Sequence, residues 1–130
     1  MMEVQVFGTR KSSDTRKALR FFAERRIRTH FVDLDERAAS RGELMRFAQK
    51  FGVQRLLDRE SRRFQDLGLA HARLSDEHWL EKLQDEPLLL VMPLTRWKNR
   101  VAIGEDPTAW NEWIVEAQNS PMKPTSGSRR

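Results

Sequence analysis

The sequence predicts an α/β domain in which a mixed sheet of about four strands carries flanking helices and a helical insertion. Short strand-like runs alternate with segments of helical repeat in the amino-terminal half, and two further strands and a helix close the pattern. With 130 residues, the chain is long enough for one hydrophobic core and therefore for one domain.

The amino-terminal half shows two strands alternating with two helices. A strand is expected over 3–7, where valines alternate with a polar residue before Gly8 begins a loop. From Ser13 onward, apolar residues recur at helical spacing. A second strand over 30–34 and a second helix that ends at Gly52 complete this half.

The middle of the chain is charged and less regular. Short helices are expected over 54–68, followed by a helix that Ser75 caps and Pro87 stops. The continuous apolar run over 88–92 is typical of a strand buried on both faces of a sheet, and Pro93 interrupts it.

The carboxy-terminal part predicts a hairpin and a last helix. Strands are expected over 94–97 and 100–103, and Trp97, beside the turn, is expected to be exposed. Pro107 suits the first turn of a helix whose two tryptophans share one face and should pack on the sheet.

This order of elements is the thioredoxin arrangement with helices inserted before its second half. We expect one domain over 1–119 with a helical insertion at about 40–86. The segment 120–130 is rich in Ser, Pro, Gly, Lys and Arg, and it is expected to be a disordered basic tail.

The absence of cysteine is the most informative compositional fact. It excludes disulfides, thiolate metal sites and thiol nucleophiles, and no other metal site is predicted. The start MMEVQVFG lacks the pattern of a signal peptide, and no stretch approaches 18 apolar residues, so we expect a cytoplasmic protein without a membrane anchor.

The charge of the chain suggests weak attraction to acidic surfaces. The formal net charge is +5, which favours contact with nucleic acid or acidic proteins. The basic residues are scattered and no aromatic-interleaved motif accompanies them, so the sequence does not predict specific nucleic-acid binding, and ordinary solvation explains the charge equally well.

Three segments resemble the ArsC/Spx family of arsenate-reductase-related proteins. They are VFGTRKSSDTRKA over 6–18, LLDRESRRFQDL over 56–67 and EPLLLVMPL over 86–94. They occur in the family's order and at matching spacing. The resemblance implies a thioredoxin-like fold in which the loop after the first strand carries a reactive cysteine.

The resemblance also indicates which functional residues of the family are replaced in this chain. Ser12 stands where the family has its nucleophilic cysteine, and Thr15 stands where regulators of the Spx type have a second one. Family reductases use arginines to bind the oxyanion. In their place, this chain has Met92 before the proline and Glu60 within the segment over 56–67. Pro93 matches the family's proline, which is expected to follow a cis peptide bond.

The serine pair has two interpretations. Ser12 and Ser13 are favoured helix N-caps and need no catalytic role. Alternatively, the helix start, with Arg10, Lys11 and Arg16 nearby and Pro93 beside it, holds an oxyanion without reacting with it. A serine nucleophile would need an adjacent base, and the spacing of the three histidines places none beside Ser12.

We therefore hypothesise a redox-inactive binding or regulatory protein. Spx-type members bind RNA polymerase, so a protein partner follows by family analogy. The predicted insertion offers a basic surface for such a partner, made of Arg41, Arg46, Lys50, Arg55, Arg59, Arg62 and Arg63. The alternatives are an arsenate-reductase-like oxidoreductase that uses glutathione as a thiol cofactor, and a basic protein associated with nucleic acid.

Overall fold

A computed structural model describes residues 2–119 of the chain. Its elements, in order, are β1 (Glu3–Gly8), α1 (Ser13–Glu24), β2 (Arg28–Asp33), α2 (Arg41–Phe51), α3 (Arg62–Asp66), α4 (Asp76–Asp85), β3 (Leu94–Trp97), β4 (Arg100–Ile103) and α5 (Pro107–Asn119). Two short 3₁₀ turns, Val53–Leu56 and Pro87–Leu89, lie among the helices that join β2 to β3. The segment predicted as a tail, 120–130, lies outside the described residues.

The strands form one mixed sheet in the order β2-β1-β3-β4. β1 runs parallel to β2 and antiparallel to β3, and β4 pairs antiparallel with β3. Phe7, near the end of β1, lies opposite Val32 on one side and Leu94 on the other. This arrangement confirms the predicted thioredoxin-like mixed sheet with flanking helices.

Helices cover both faces of the sheet. One face packs against α1 and α5, where Trp110 and Trp113 join Phe22 and the β1 valines in a buried cluster. The other face packs against the helices that join β2 to β3, and there the ring of Phe7 lies 5.9 Å from that of Phe47. The predicted packing of the last helix on the sheet is confirmed.

Four serines begin the helices α1 to α4. Ser12, Ser40, Ser61 and Ser75 each accept a hydrogen bond from the backbone N–H three residues further on. Such caps satisfy N–H groups that no helix carbonyl can reach, and each contributes about 1 kcal/mol. The predicted cap at Ser75 is therefore confirmed, and the same local rule explains the other three helix starts.

The strand predicted over 88–92 is wrong. The chain makes a 3₁₀ turn over Pro87–Leu89, and Leu90 forms only an isolated bridge with Leu57. Leu89 and Leu90 are buried against the helices that join β2 to β3 rather than in the sheet. A short apolar run does not distinguish a buried strand from a buried turn, because neither has a polar face.

Two smaller predictions also need correction. Trp97 is 3% exposed and packs beside Trp110, because the alternation of side chains along β3 directs it to the face that α5 covers. The second strand runs from Arg28 to Asp33 instead of over 30–34. Leu34 still extends the pairing, since its N–H donates to the Gly8 carbonyl at 2.8 Å.

The junction of β1 and α1 is packed without spare room. A Cβ added at Gly8 would lie 2.2 Å from Thr15 Oγ1, far inside van der Waals contact. Thr15 is fully buried, and its hydroxyl has no hydrogen-bond partner among the described residues. Glycine at position 8 is therefore required by the close approach of the helix to the strand.

We expect Gly8→Ala to destabilise the fold by about 1–3 kcal/mol, because the added methyl group forces the helix start away from the strand. Thermal or denaturant unfolding measures the loss. The same substitution is also made in a Thr15→Ala background, which lacks the hydroxyl and methyl groups nearest the new carbon. Gly8→Ala should cost less stability there. An equal loss from Gly8→Ala in both backgrounds would refute the proposed clash.

Candidate functional site

The loop between β1 and α1 holds Ser12 in the geometry of a helix cap. Its Oγ accepts the Thr15 N–H at 3.2 Å, and its carbonyl accepts the Arg16 N–H at 3.1 Å. Its own N–H donates to the Thr9 carbonyl at 3.2 Å, which closes the loop. The side chain of Ser12 is thus directed back over the helix start, where it satisfies a backbone donor.

No base is placed to activate Ser12. The three histidines, His30, His71 and His78, are all exposed on other parts of the surface. Within residues 2–119, the only hydrogen bond of the Ser12 hydroxyl is the one from Thr15. A serine nucleophile needs a hydrogen-bonded base that a third group orients, and this arrangement supplies neither.

The cations around the helix start are largely engaged by other groups. Arg16 donates to the Arg10 carbonyl at 2.7 Å, and the Arg10 guanidinium lies 4.9 Å from the centre of the Phe31 ring. Asp14 places a carboxylate in the first turn of α1. Lys11 and Ser13 are exposed beside them. The cations of the loop therefore lie beside the carboxylate of Asp14, which Lys17 pairs at 3.7 Å.

Met92 and Pro93 lie against the same loop. The peptide bond between them is cis, as predicted. Thr9 Oγ1 donates to Met92 Sδ at 3.6 Å, which joins the residue before Pro93 to the loop that carries Ser12. The Pro93 carbonyl accepts the Gly104 N–H at 2.8 Å at the start of β3. The thioether of Met92 thus occupies this side of the site and contributes no charge.

The other positions implied by the family resemblance add no cation. Thr15 is buried and packs toward Gly8 instead of opening to the surface. Glu60 is exposed in a turn, where its N–H donates to Asp58 Oδ1 at 3.1 Å. Neither position brings a positive charge to the helix start.

Sequence reasoning assigned Arg46 to the basic surface of the insertion but missed a cleft that it shares with Arg96 at the other end of the sheet. Arg46 on α2 and Arg96 on β3 line one cleft with Lys98, Gln49 and Asn99. The sequence signal for the position of Arg96 was the alternation of side chains along β3. It places Arg96 on the face opposite its buried neighbours Thr95 and Trp97. Finding the cleft also required knowing that α2 crosses this part of the sheet.

Two searches of the described residues, 2–119, gave negative findings. No group of three or more His, Asp or Glu side chains is close enough to hold a metal ion. None of the helices there is both long and apolar enough to cross a membrane.

Comparison with known proteins decides the family. The model of the ArsC family matches residues 7–113, which is most of the chain and includes Ser12 and Pro93. The chain belongs to the ArsC family. Because it contains no cysteine, it is a degenerate member in which the position of the reactive thiol is occupied by another residue. A search of curated proteins gives no match.

Solved structures of ArsC-related proteins have the same fold. The YFFB protein is 23% identical with a TM-score of 0.77, and the match covers 84% of this chain and 96% of that one. An arsenate reductase from Vibrio cholerae is 23% identical with a TM-score of 0.73, covering 88% and 97%. An arsenate reductase (ArsC) related protein from Brucella melitensis is 18% identical with a TM-score of 0.64, covering 87% and 95%.

The cap geometry predicts the behaviour of a thiol placed at position 12. In Ser12→Cys, we expect a thiol pKa below the ordinary value of about 8.5, because the helix start and the nearby cations stabilise the thiolate. The matched control is Ala23→Cys, near the carboxy-terminal end of the same helix, where that stabilisation is absent. The chain has no other thiol, so titration by ultraviolet absorbance reports each position alone. Equal pKa values in the two variants would contradict the alignment of Ser12 with the reactive position.

Proposed function

We propose that this ArsC-family chain is a redox-inactive protein that acts by binding, as a regulator or adaptor. The observation that supports the proposal is the Ser12 hydroxyl, which serves as the cap of α1 in a chain that has no cysteine. Reduction through an arsenic–sulfur bond needs a thiolate, and a serine hydroxyl at neutral pH does not replace it.

The surroundings of Ser12 support binding without catalysis. Met92 offers a thioether where the resemblance implies an oxyanion-binding arginine, and Glu60 in the segment over 56–67 adds no positive charge. The helix start, with Ser13, Lys11 and the other residues of the loop, is proposed to attract an oxyanion only weakly. A weak site of this kind suits a surface contact better than a reaction.

The partner surface that we propose lies on α2 and the turn after it. Lys50 Nζ and the Arg55 guanidinium lie 5.4 Å and 5.8 Å from the centre of the half-buried Phe51 ring. Within residues 2–119, neither cation has a carboxylate within 4 Å. An aromatic ring flanked by two cations is the kind of anchor that an acidic protein surface can use. RNA polymerase remains a candidate partner by family analogy.

Other arginines of the predicted basic surface are already paired. Arg41 binds Glu77, Arg62 lies 3.9 Å from Asp66, and Arg63 lies 2.7 Å from Glu86. Their charges are therefore largely compensated within the chain. The cations open to a partner are therefore fewer than the sequence alone indicates. Arg46 lines a separate cleft and Arg59 donates to Gln54 Oε1, so the proposed anchor centres on Lys50, Phe51 and Arg55.

Charge reversal at this surface tests the proposal. We expect immobilised protein to retain a specific partner from an extract of its native cells, and Lys50→Glu to reduce that retention at least about tenfold, because repulsion replaces attraction at the anchor. Quantitative mass spectrometry of the retained proteins provides the measurement.

Arg20→Glu is the matched control, because it changes the net charge equally at an exposed position of α1. It should leave the retained protein unchanged. Retention that is insensitive to Lys50→Glu, or equally sensitive to both variants, would contradict a partner surface on α2.

A further inference from the structure

A cationic cleft lies between α2 and the β3–β4 hairpin. It has a volume of about 150 Å³ and is lined by Arg46, Gln49, Arg96, Lys98, Asn99 and Val101. Arg96 lies opposite Gln5 in the sheet, in the amino-terminal half of β1. The loop that carries Ser12 follows the carboxyl end of β1, so the cleft is separate from the family's reactive position.

The guanidinium of Arg96 is held in a fixed orientation. Its Nε donates to Gln5 Oε1 at 3.2 Å, and its Nη1 donates to the Lys98 carbonyl at 2.7 Å. Nη2 has no acceptor among the described residues. A guanidinium fixed in this way loses little conformational entropy when it binds, and it keeps donors available for a ligand.

The two arginines of the cleft have no directly paired carboxylate in the described part of the chain. Within residues 2–119, neither Arg46 nor Arg96 has a carboxylate within 4 Å. The pKa of Arg96 is lowered from its ordinary value, first by burial and then by repulsion from Arg46. The ammonium of Lys98 lies 4.9 Å from the centre of the Trp97 ring at the rim, and it adds to the positive potential.

Glu43 is the carboxylate whose charge acts on Arg96, and Arg37 holds it. Arg37 donates to both carboxylate oxygens of Glu43, at 3.0 and 2.9 Å, and the Ser40 N–H donates at 2.8 Å. Chiefly because of Arg37, the pKa of Glu43 falls to about 2. Glu43 therefore stays ionised and paired with Arg37. It is not within 4 Å of either arginine of the cleft, so it offsets their positive charge only in part.

We propose that this cleft binds the terminal phosphate group of a small phosphorylated molecule. Two guanidinium groups suit the oxygens of a phosphate dianion, since each can donate paired hydrogen bonds. The amides of Gln49 and Asn99 supply neutral donors beside them. The small volume accommodates one phosphate group better than an extended chain of them. This inference does not depend on the partner surface at Lys50 and Arg55.

Calorimetric titration with inorganic phosphate, at constant ionic strength set by chloride, tests the proposal. We expect saturable binding to the wild-type chain and at least about tenfold weaker binding to Arg96→Gln, because charge-assisted hydrogen bonds to the ligand are lost. Arg46→Gln, at an exposed position, should weaken binding without affecting folding. Arg20→Gln is the control for net charge and should bind within about twofold of the wild type. Absence of saturable binding, or an equal loss in Arg20→Gln, would overturn the proposal.

Two further ligands identify the source of the phosphate. Glycerol phosphate should bind at least as tightly as inorganic phosphate and show the same dependence on Arg46 and Arg96. A single-stranded oligonucleotide without a terminal phosphate should bind more weakly at equal ionic strength. Tighter binding of the oligonucleotide that depends on the same two arginines would replace the proposal with nucleic-acid binding.

Discussion

The close approach of α1 to the end of β1 is the constraint on which the site depends. Gly8 and Thr15 meet with no room for a Cβ at position 8, so the helix begins at a fixed distance from the strand. The intervening loop must then turn tightly, which it does through the hydrogen bond from Ser12 N–H to the Thr9 carbonyl. These contacts place residue 12 at the helix start and direct its side chain toward the backbone N–H of Thr15.

This geometry makes the helix start stable without a thiol. The cap, the packing of Thr15 and the position of Pro93 all stabilise the fold without any thiol. A serine at position 12 satisfies the same backbone donor that a thiolate would, so the replacement costs the fold little. Thiol reactivity depends instead on the identity of one atom, and position 12 carries a hydroxyl in this chain.

Local signals in the sequence predicted most of the fold. The caps at Ser12 and Ser75 and the apolar repeat of α1 depend on near neighbours, so they could be recognised without a structure. The cis bond before Pro93 was predicted from the family resemblance instead. The run over 88–92 and the burial of Trp97 could not, because long-range packing decides both. The same holds for the cleft, since Arg46 and Arg96 are far apart in sequence and meet only because α2 crosses the hairpin. The predicted cap at Ser12 was accessible from the sequence, whereas the engagement of Arg10 and Arg16 by Phe31 and a carbonyl was not.

The two ends of the sheet thus differ in character, with a capped helix start at one end and, at the other, two arginines without a carboxylate within 4 Å among the described residues. We propose that the helix start of this chain does not support electron transfer to arsenate. Arsenate turnover by the wild-type chain, with glutathione or thioredoxin as the electron donor, tests this claim most directly. We expect no arsenite above a control without the protein, because the chain itself has no thiolate that could form the arsenic–sulfur bond. Arsenite formation that increases in proportion to protein concentration would contradict it.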